Sequence, residues 1–234
     1  MILRCLLVLL LAGAPTLGSA GALARATDRL PQVEAPPMGE EQWIARSMRL
    51  NGLPMTLKAF TSKWPTDALL HHYQSWAATL THAQTRRSRV EGAQVLAIRT
   101  PDFLITIQAR TVLGGCEGTI AVSAAPDTTT VQVASDFPLP RSVTIANLQQ
   151  YDDLGLEAEH ISATSVRGVA TEAAAFVQRL SGHGWQLTRQ RSSTQFARGY
   201  VIEAQKGAQH AMVTLMPDHA APGMTAIVIV WRKA

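Results

Sequence analysis

Seven histidines and one central thiol are the side chains of this chain with the widest chemical repertoire. His71 and His72 are adjacent and His82 follows ten residues later. Imidazole is the commonest transition-metal ligand, but neighbouring positions on a helix point about 100° apart and His82 would stand roughly 16 Å along the axis from His71. No His-x-x-x-His or Cys-x-x-Cys pair occurs. His160, His183, His210 and His219 are scattered, and a three-ligand site needs a third convergent group that spacing does not supply. No metal ligands are assigned; these histidines are expected at turns, strand ends and the flanks of an apolar stripe.

Cys116 lies in Gly114-Gly115-Cys116-Glu117-Gly118. Glycines can expose a thiol, and free backbone N–H groups can favour its thiolate. Nucleophilic catalysis also needs a base and an orienting group, and Glu117 beside it raises the thiol pKa. Three readings stand: a buried small residue, a thiol pairing with another chain, or a reactive nucleophile. No Gly-x-Ser-x-Gly elbow and no Gly-x-x-x-x-Gly-Lys-Ser/Thr phosphate loop occurs, so no catalytic residue and no cofactor is assigned. Asp152-Asp153 reads as turn chemistry, and Glu40-Glu41 as a solvated pair. Arg86, Arg87 and Arg89 form the one basic cluster, an interaction surface for lipid head groups or an acidic partner, or else a charged loop.

The N-terminus frames any such chemistry. Residues 1–26 read as a signal peptide, with Arg4 ahead of the apolar run Leu6 to Ala12 and small residues at Gly18/Ala20, Ala22/Ala24 and Ala24/Ala26. The run is too short to span a bilayer about 30 Å thick. A periplasmic location follows, with membrane contact at most peripheral. Removal of the leader takes Arg4 and Arg25 and halves the formal charge of +4. No basic stripe with interleaved aromatics remains, so nucleic acid is not an expected partner. Cys5 leaves too, and Cys116 alone cannot form an internal disulfide. The fold must rest on apolar burial, for which 47% hydrophobic residues are sufficient.

The same pattern is written twice. Thr66-Asp67-Ala68 opens a helical stretch after a strand-like run, and Thr171-Glu172-Ala173 does so 105 residues later. Asn51-Gly52 signals a hairpin, since both residues tolerate positive φ. Thr66 is a good N-cap, and Leu69, Leu70, Tyr73, Trp76, Ala77 and Leu80 recur at helical spacing. Thr81 to Arg89 is polar and breaks the pattern. In the second copy Ala173, Phe176, Val177 and Leu180 share one face, and Gly182 and Gly184 around His183 stop the helix. The apolar run Ile227 to Val230 predicts a central strand covered on both sides. The expected fold is α+β: two tandem ββαβββ repeats, each an antiparallel sheet with one helix on a face. Residues 27–40 form a flexible tether, 41–123 the first repeat, 124–141 a proline-bearing linker and 142–234 the second repeat.

Asn51-Gly52-Leu53-Pro54-Met55, Phe60-Thr61-Ser62 and Leu70-x-x-Tyr73-x-x-Trp76 resemble uncharacterised periplasmic proteins of proteobacteria built from small α+β repeats. Phe176-Val177 to Leu180, ending in Gly184-Trp185, is similar to helix ends of small envelope domains. The resemblance implies no activity. The functional expectation is an exported, non-enzymatic binding or scaffolding protein, an accessory of envelope or secretion machinery whose partners are proteins of that machinery. A carrier of a small apolar ligand or lipid is the alternative, and a cysteine-dependent enzyme is the third reading.

Overall fold

The computed structural model describes residue 27 and residues 29–125, 133–153, 156–192 and 198–233. The leader and residues 126–132 of the linker lie outside the described residues. The first half runs β1 (Gly39–Leu50), β2 (Leu53–Ser62), α1 (Thr66–Ala77), β3 (Gln84–Val90), β4 (Ala93–Arg99), β5 (Phe103–Val112) and β6 (Gly115–Ala124). The second runs β7 (Val143–Asp153), β8 (Leu156–Ser165), α2 (Val169–Gly182), β9 (Gln186–Ser192), β10 (Tyr200–Lys206), β11 (Gln209–Pro217) and β12 (Thr225–Arg232).

The expected α+β architecture, a pair of ββαβββ repeats, is corrected. The described chain is mainly β: one antiparallel sheet of twelve strands, ordered β3-β4-β5-β6-β2-β1-β7-β8-β12-β11-β10-β9, with two helices. Two features escape the expectation. Gln84–Val90 and Gln186–Ser192 are strands, although every described residue of the first and nearly all of the second are exposed or polar. They are the outer edges of the sheet, with too little burial to impress an apolar alternation on the sequence. The halves also join through backbone pairing of Met48, Arg49 and Leu50 with Tyr151, Gln150 and Gln149. Outward from that seam the connectivity is the same on either side.

Local chemistry explains the seam. Asn51 and Gly52 take φ of +50° and +83°, the left-handed pair that closes a two-residue hairpin. The Asn51 N–H donates to the Leu148 carbonyl and Oδ1 accepts from the Leu148 N–H, each at 2.8 Å. The asparagine side chain thus extends the β1–β7 ladder where the β1 backbone turns away. Register shifts in β1 between Trp43 and Ala45, and between Ala45 and Met48, account for its broken alternation.

Both helices lie on one face of the sheet, α1 against β3–β5 and α2 against β9–β11. Thr66 does not cap α1. Pro65 stands at the N-cap position without a side-chain cap, and the Thr66 hydroxyl bonds that of Thr111 at 2.9 Å. Gly184 (φ +77°) ends α2, and the Trp185 N–H returns to the Leu180 carbonyl. Leu69, Leu70 and Tyr73 pack on Leu96, Ile98, Ile105 and Ile107, and Phe176 and Leu180 pack on Ile202, Val213 and Ile229. An extended segment completes each core. Val33 joins the first, with the Tyr73 hydroxyl donating to the Glu34 carbonyl. Phe137 joins the second between Trp185 and Trp231. β12 lies inside the sheet, as expected, but its other side is only partly covered among the described residues: Val230 is 41% exposed and its cross-strand partner Met212 43%.

Candidate functional site

The reactive residues singled out in the sequence do not converge. Cys116 is fully buried in the first core, and burial pushes its thiol pKa up against the opposing effect of a hydrogen bond to Thr66. A neutral thiol without solvent access is a poor nucleophile. His72 stacks edge-on against Trp64 and Tyr73. His160 is on β8, where burial holds its pKa down. No group of three or more histidine, cysteine, aspartate or glutamate residues that could hold a metal is present among the described residues. The arginine cluster lies on edge strand β3. Alternation there sends Arg86 to one face of the sheet and Arg87 and Arg89 to the other, where the Arg87 Nε–H donates to Gln74 Oε1 of α1 at 3.1 Å. All three are exposed.

What the fold does build is a groove of about 900 Å³ along one flank of α2. Val169, Ala173 and Val177 form its helical wall, Tyr200 at the start of β10 its floor, and Pro217 and Met224 the far rim. Ala173 belongs to the core, and Val169 and Val177 pack against its edge while keeping part of their surface exposed. Phe176 and Leu180 point into the sheet, while Val169 and Val177 are only half-buried on the flank. Arg198 is the single charged residue lining the groove and forms no ion pair among the described residues.

The rim is held by its own hydrogen bonds. Asp218 donates its N–H to the Met224 carbonyl at 2.9 Å, and its Oδ1 accepts from the N–H groups of Ala220 and Ala221. At the base of α2, Glu172 is fully buried, with both carboxylate oxygens accepting from Ser142 at 2.9 Å and Oε2 also from Ser165 at 2.7 Å. It fastens the helix to the end of β8 and to the residue just ahead of β7, so the helical wall stands on a fixed base.

None of these groove residues was singled out in the sequence as a site. The groove brings together positions 169 and 224, and no local motif links them. The usable signal was the surplus of small apolar residues on α2 and the long β11–β12 connection. Comparison of the chain with protein-family models, with curated proteins and with solved structures returns no match.

Proposed function

We propose that this chain is a non-enzymatic binding protein of the cell envelope that carries an apolar small molecule or single lipid chain in the groove beside α2. The observation that carries this reading is the groove itself. Its volume falls within the range of ligand sites, and apolar side chains such as Val169, Val177, Tyr200 and Met224 line it beside the polar Thr171, Gln178, Gln190 and Ser192, with Arg198 the one charged residue among those described, the usual makeup of a small-molecule pocket. One guanidinium with no ion pair among the described residues, set beside mainly apolar walls, favours a ligand with an apolar body and one negative group. The leader and the absence, among the described residues, of a helix long and apolar enough to cross a membrane are compatible with transport in an aqueous compartment.

The scaffolding reading is favoured less by the sheet edges. Strand addition by a partner needs an accessible edge, and both edges carry arginines, Arg86, Arg87 and Arg89 on β3 and Arg189 and Arg191 on β9. Charge at an edge opposes promiscuous pairing. A strand-adding partner would have to be acidic.

The test uses 1-anilinonaphthalene-8-sulfonate, an apolar anion. Saturable fluorescence enhancement with one site is expected, lost in Ala174→Trp, which fills the groove from an exposed helical position, and weakened in Arg198→Gln. Unchanged dye binding in Ala174→Trp would remove the groove from consideration. Native mass spectrometry of protein extracted from its source gives the independent readout, a ligand-bearing mass in the wild type and a bare one in the variant.

A further inference from the structure

The opposite flank of α2 has different chemistry. A second cavity, of about 490 Å³, opens between the end of the linker, the loop after β8 and the last turns of α2. Its lining includes Arg141 from the linker, Arg167 from the loop, and Arg179 and His183 from the helix end. None of the three arginines lies within ion-pair distance of a carboxylate among the described residues. Glu172 is the acid carried by α2 nearby, but it is fully buried and its oxygens are occupied by Ser142 and Ser165.

The end of a helix ordinarily presents carbonyl oxygens that repel anions, and here three of them, at Arg179, Leu180 and Ser181, accept hydrogen bonds. The Leu180 carbonyl accepts from the N–H groups of His183 and Trp185, and the Ser181 carbonyl from that of Gly184. The Arg179 carbonyl accepts from His183 Nδ1–H at 2.9 Å. That bond places the imidazole proton on Nδ1 in the neutral ring and leaves Nε2 as the atom a ligand can meet.

Like charges that share a cavity repel one another, and an anion set between them reverses the sign of that energy. Guanidinium forks match the oxygens of a phosphate group two at a time. We propose that the cavity lined by Arg141, Arg167 and Arg179 is a binding site for a phosphate-type oxyanion, either a free anion or the head group of a phospholipid. The site shares Gln178 with the apolar groove but takes its arginines from the other flank of α2, and it does not depend on a ligand in that groove.

The experiment titrates sodium phosphate and sodium pyrophosphate into the full chain by calorimetry, at constant ionic strength set with sodium chloride. One saturable site is expected in the wild type and in Ala174→Trp. The double variant Arg167→Gln/Arg179→Gln should bind at least about tenfold more weakly, since each lost charge-assisted contact alone can reach that factor. Both arginines are exposed, so the variant keeps the fold, which its circular dichroism verifies. A parallel arm sediments the protein with phosphatidylcholine vesicles with and without phosphatidylglycerol. Co-sedimentation with the anionic vesicles alone, lost in the double variant and displaced by pyrophosphate, identifies a lipid head group as the source. Calorimetric binding without co-sedimentation identifies a free anion. Heats of dilution only in the wild type together with no anionic-vesicle binding, or equal binding by the double variant in both arms, overturns the site.

Discussion

Asn51 is the residue at which the single-sheet architecture can be tested most directly. Its substitution perturbs two separable terms. Alanine at φ +50° bears the left-handed penalty of about 1–2 kcal/mol. It also removes the oxygen that accepts from the Leu148 N–H at 2.8 Å, a further loss of about 1 kcal/mol or somewhat more if the donor is left unpaired. Asn51→Ala should therefore destabilise by about 2–4 kcal/mol. Asn51→Gly relieves the backbone term and keeps only the second, for about 1–2 kcal/mol. Asn51→Asp tolerates the same backbone region and keeps an acceptor, so it should stay within about 1 kcal/mol of the wild type. Urea unfolding followed by circular dichroism measures these as midpoint shifts at constant slope, and tryptophan fluorescence should give the same midpoint, because both halves share one sheet. A glycine variant as stable as the wild type would show that the side-chain bond across the seam carries no energy. Equal losses for glycine and alanine would show that the turn conformation does not matter.

Leu180→Ala should cost about 2–5 kcal/mol, because the leucine is fully buried between α2 and the sheet; a thermal melt unchanged from the wild type would contradict the core assignment. Glu172→Gln should lose about 1–3 kcal/mol in the same melt, because an amide nitrogen cannot accept from Ser142 or Ser165 as a carboxylate oxygen does. Cys116 should react with a thiol reagent such as DTNB only as the protein unfolds, and labelling of the folded protein at the rate of an exposed thiol would refute its burial. Burial raises the pKa of Cys116 and of Tyr73 above their unfolded values of 9.0 and 10.0, so their contribution is intact below pH 9 and is lost as pH rises through the folded values. Urea midpoints should accordingly fall above pH 9, and Tyr73→Phe should flatten that fall.

Where information was local, the sequence carried it. Asn51-Gly52 named its own turn, and Gly184 its own helix stop, because each depends on the φ preference of a residue or two. The apolar faces of both helices were legible for the same reason. The edge strands were not, since Gln84–Val90 is exposed throughout and gains nothing from alternation. The seam was hidden twice over: β1 is bulged just before it, and its partners on β7 are Gln149, Gln150 and Tyr151, whose pairing is made by backbone groups. Thr66 misled because the preference for threonine at a cap says nothing about a hydroxyl opposite, and Thr111 claims it. The arginines show the same limit. Arg86, Arg87 and Arg89 are adjacent in sequence and split between faces, whereas Arg141, Arg167 and Arg179 are far apart in sequence and line one cavity.

The two halves differ most where the groove is. In the first half, β3 and β4 are joined by Glu91-Gly92 and β5 and β6 by Leu113-Gly114, both two-residue turns. The corresponding connections in the second half are each seven residues long, 193–199 and 218–224. The pairing of Tyr200 with Leu215, and of Pro217 with Thr225, puts the start of β10, the end of β11 and the start of β12 at the same end of the sheet, and β8 feeds α2 from that end as Ser165 pairs with Thr225. Shared connectivity secures the scaffold on both sides. Extra length in the 218–224 connection changes what surrounds the start of α2, where loop residues can diverge without disturbing the core. Pro217 and Met224 flank or end the longer β11–β12 connection and line the groove. Shortening 218–224 to a two-residue turn should therefore leave the sheet folded and abolish dye binding. Loss of the fold itself would mean that the loop serves the core and not a ligand.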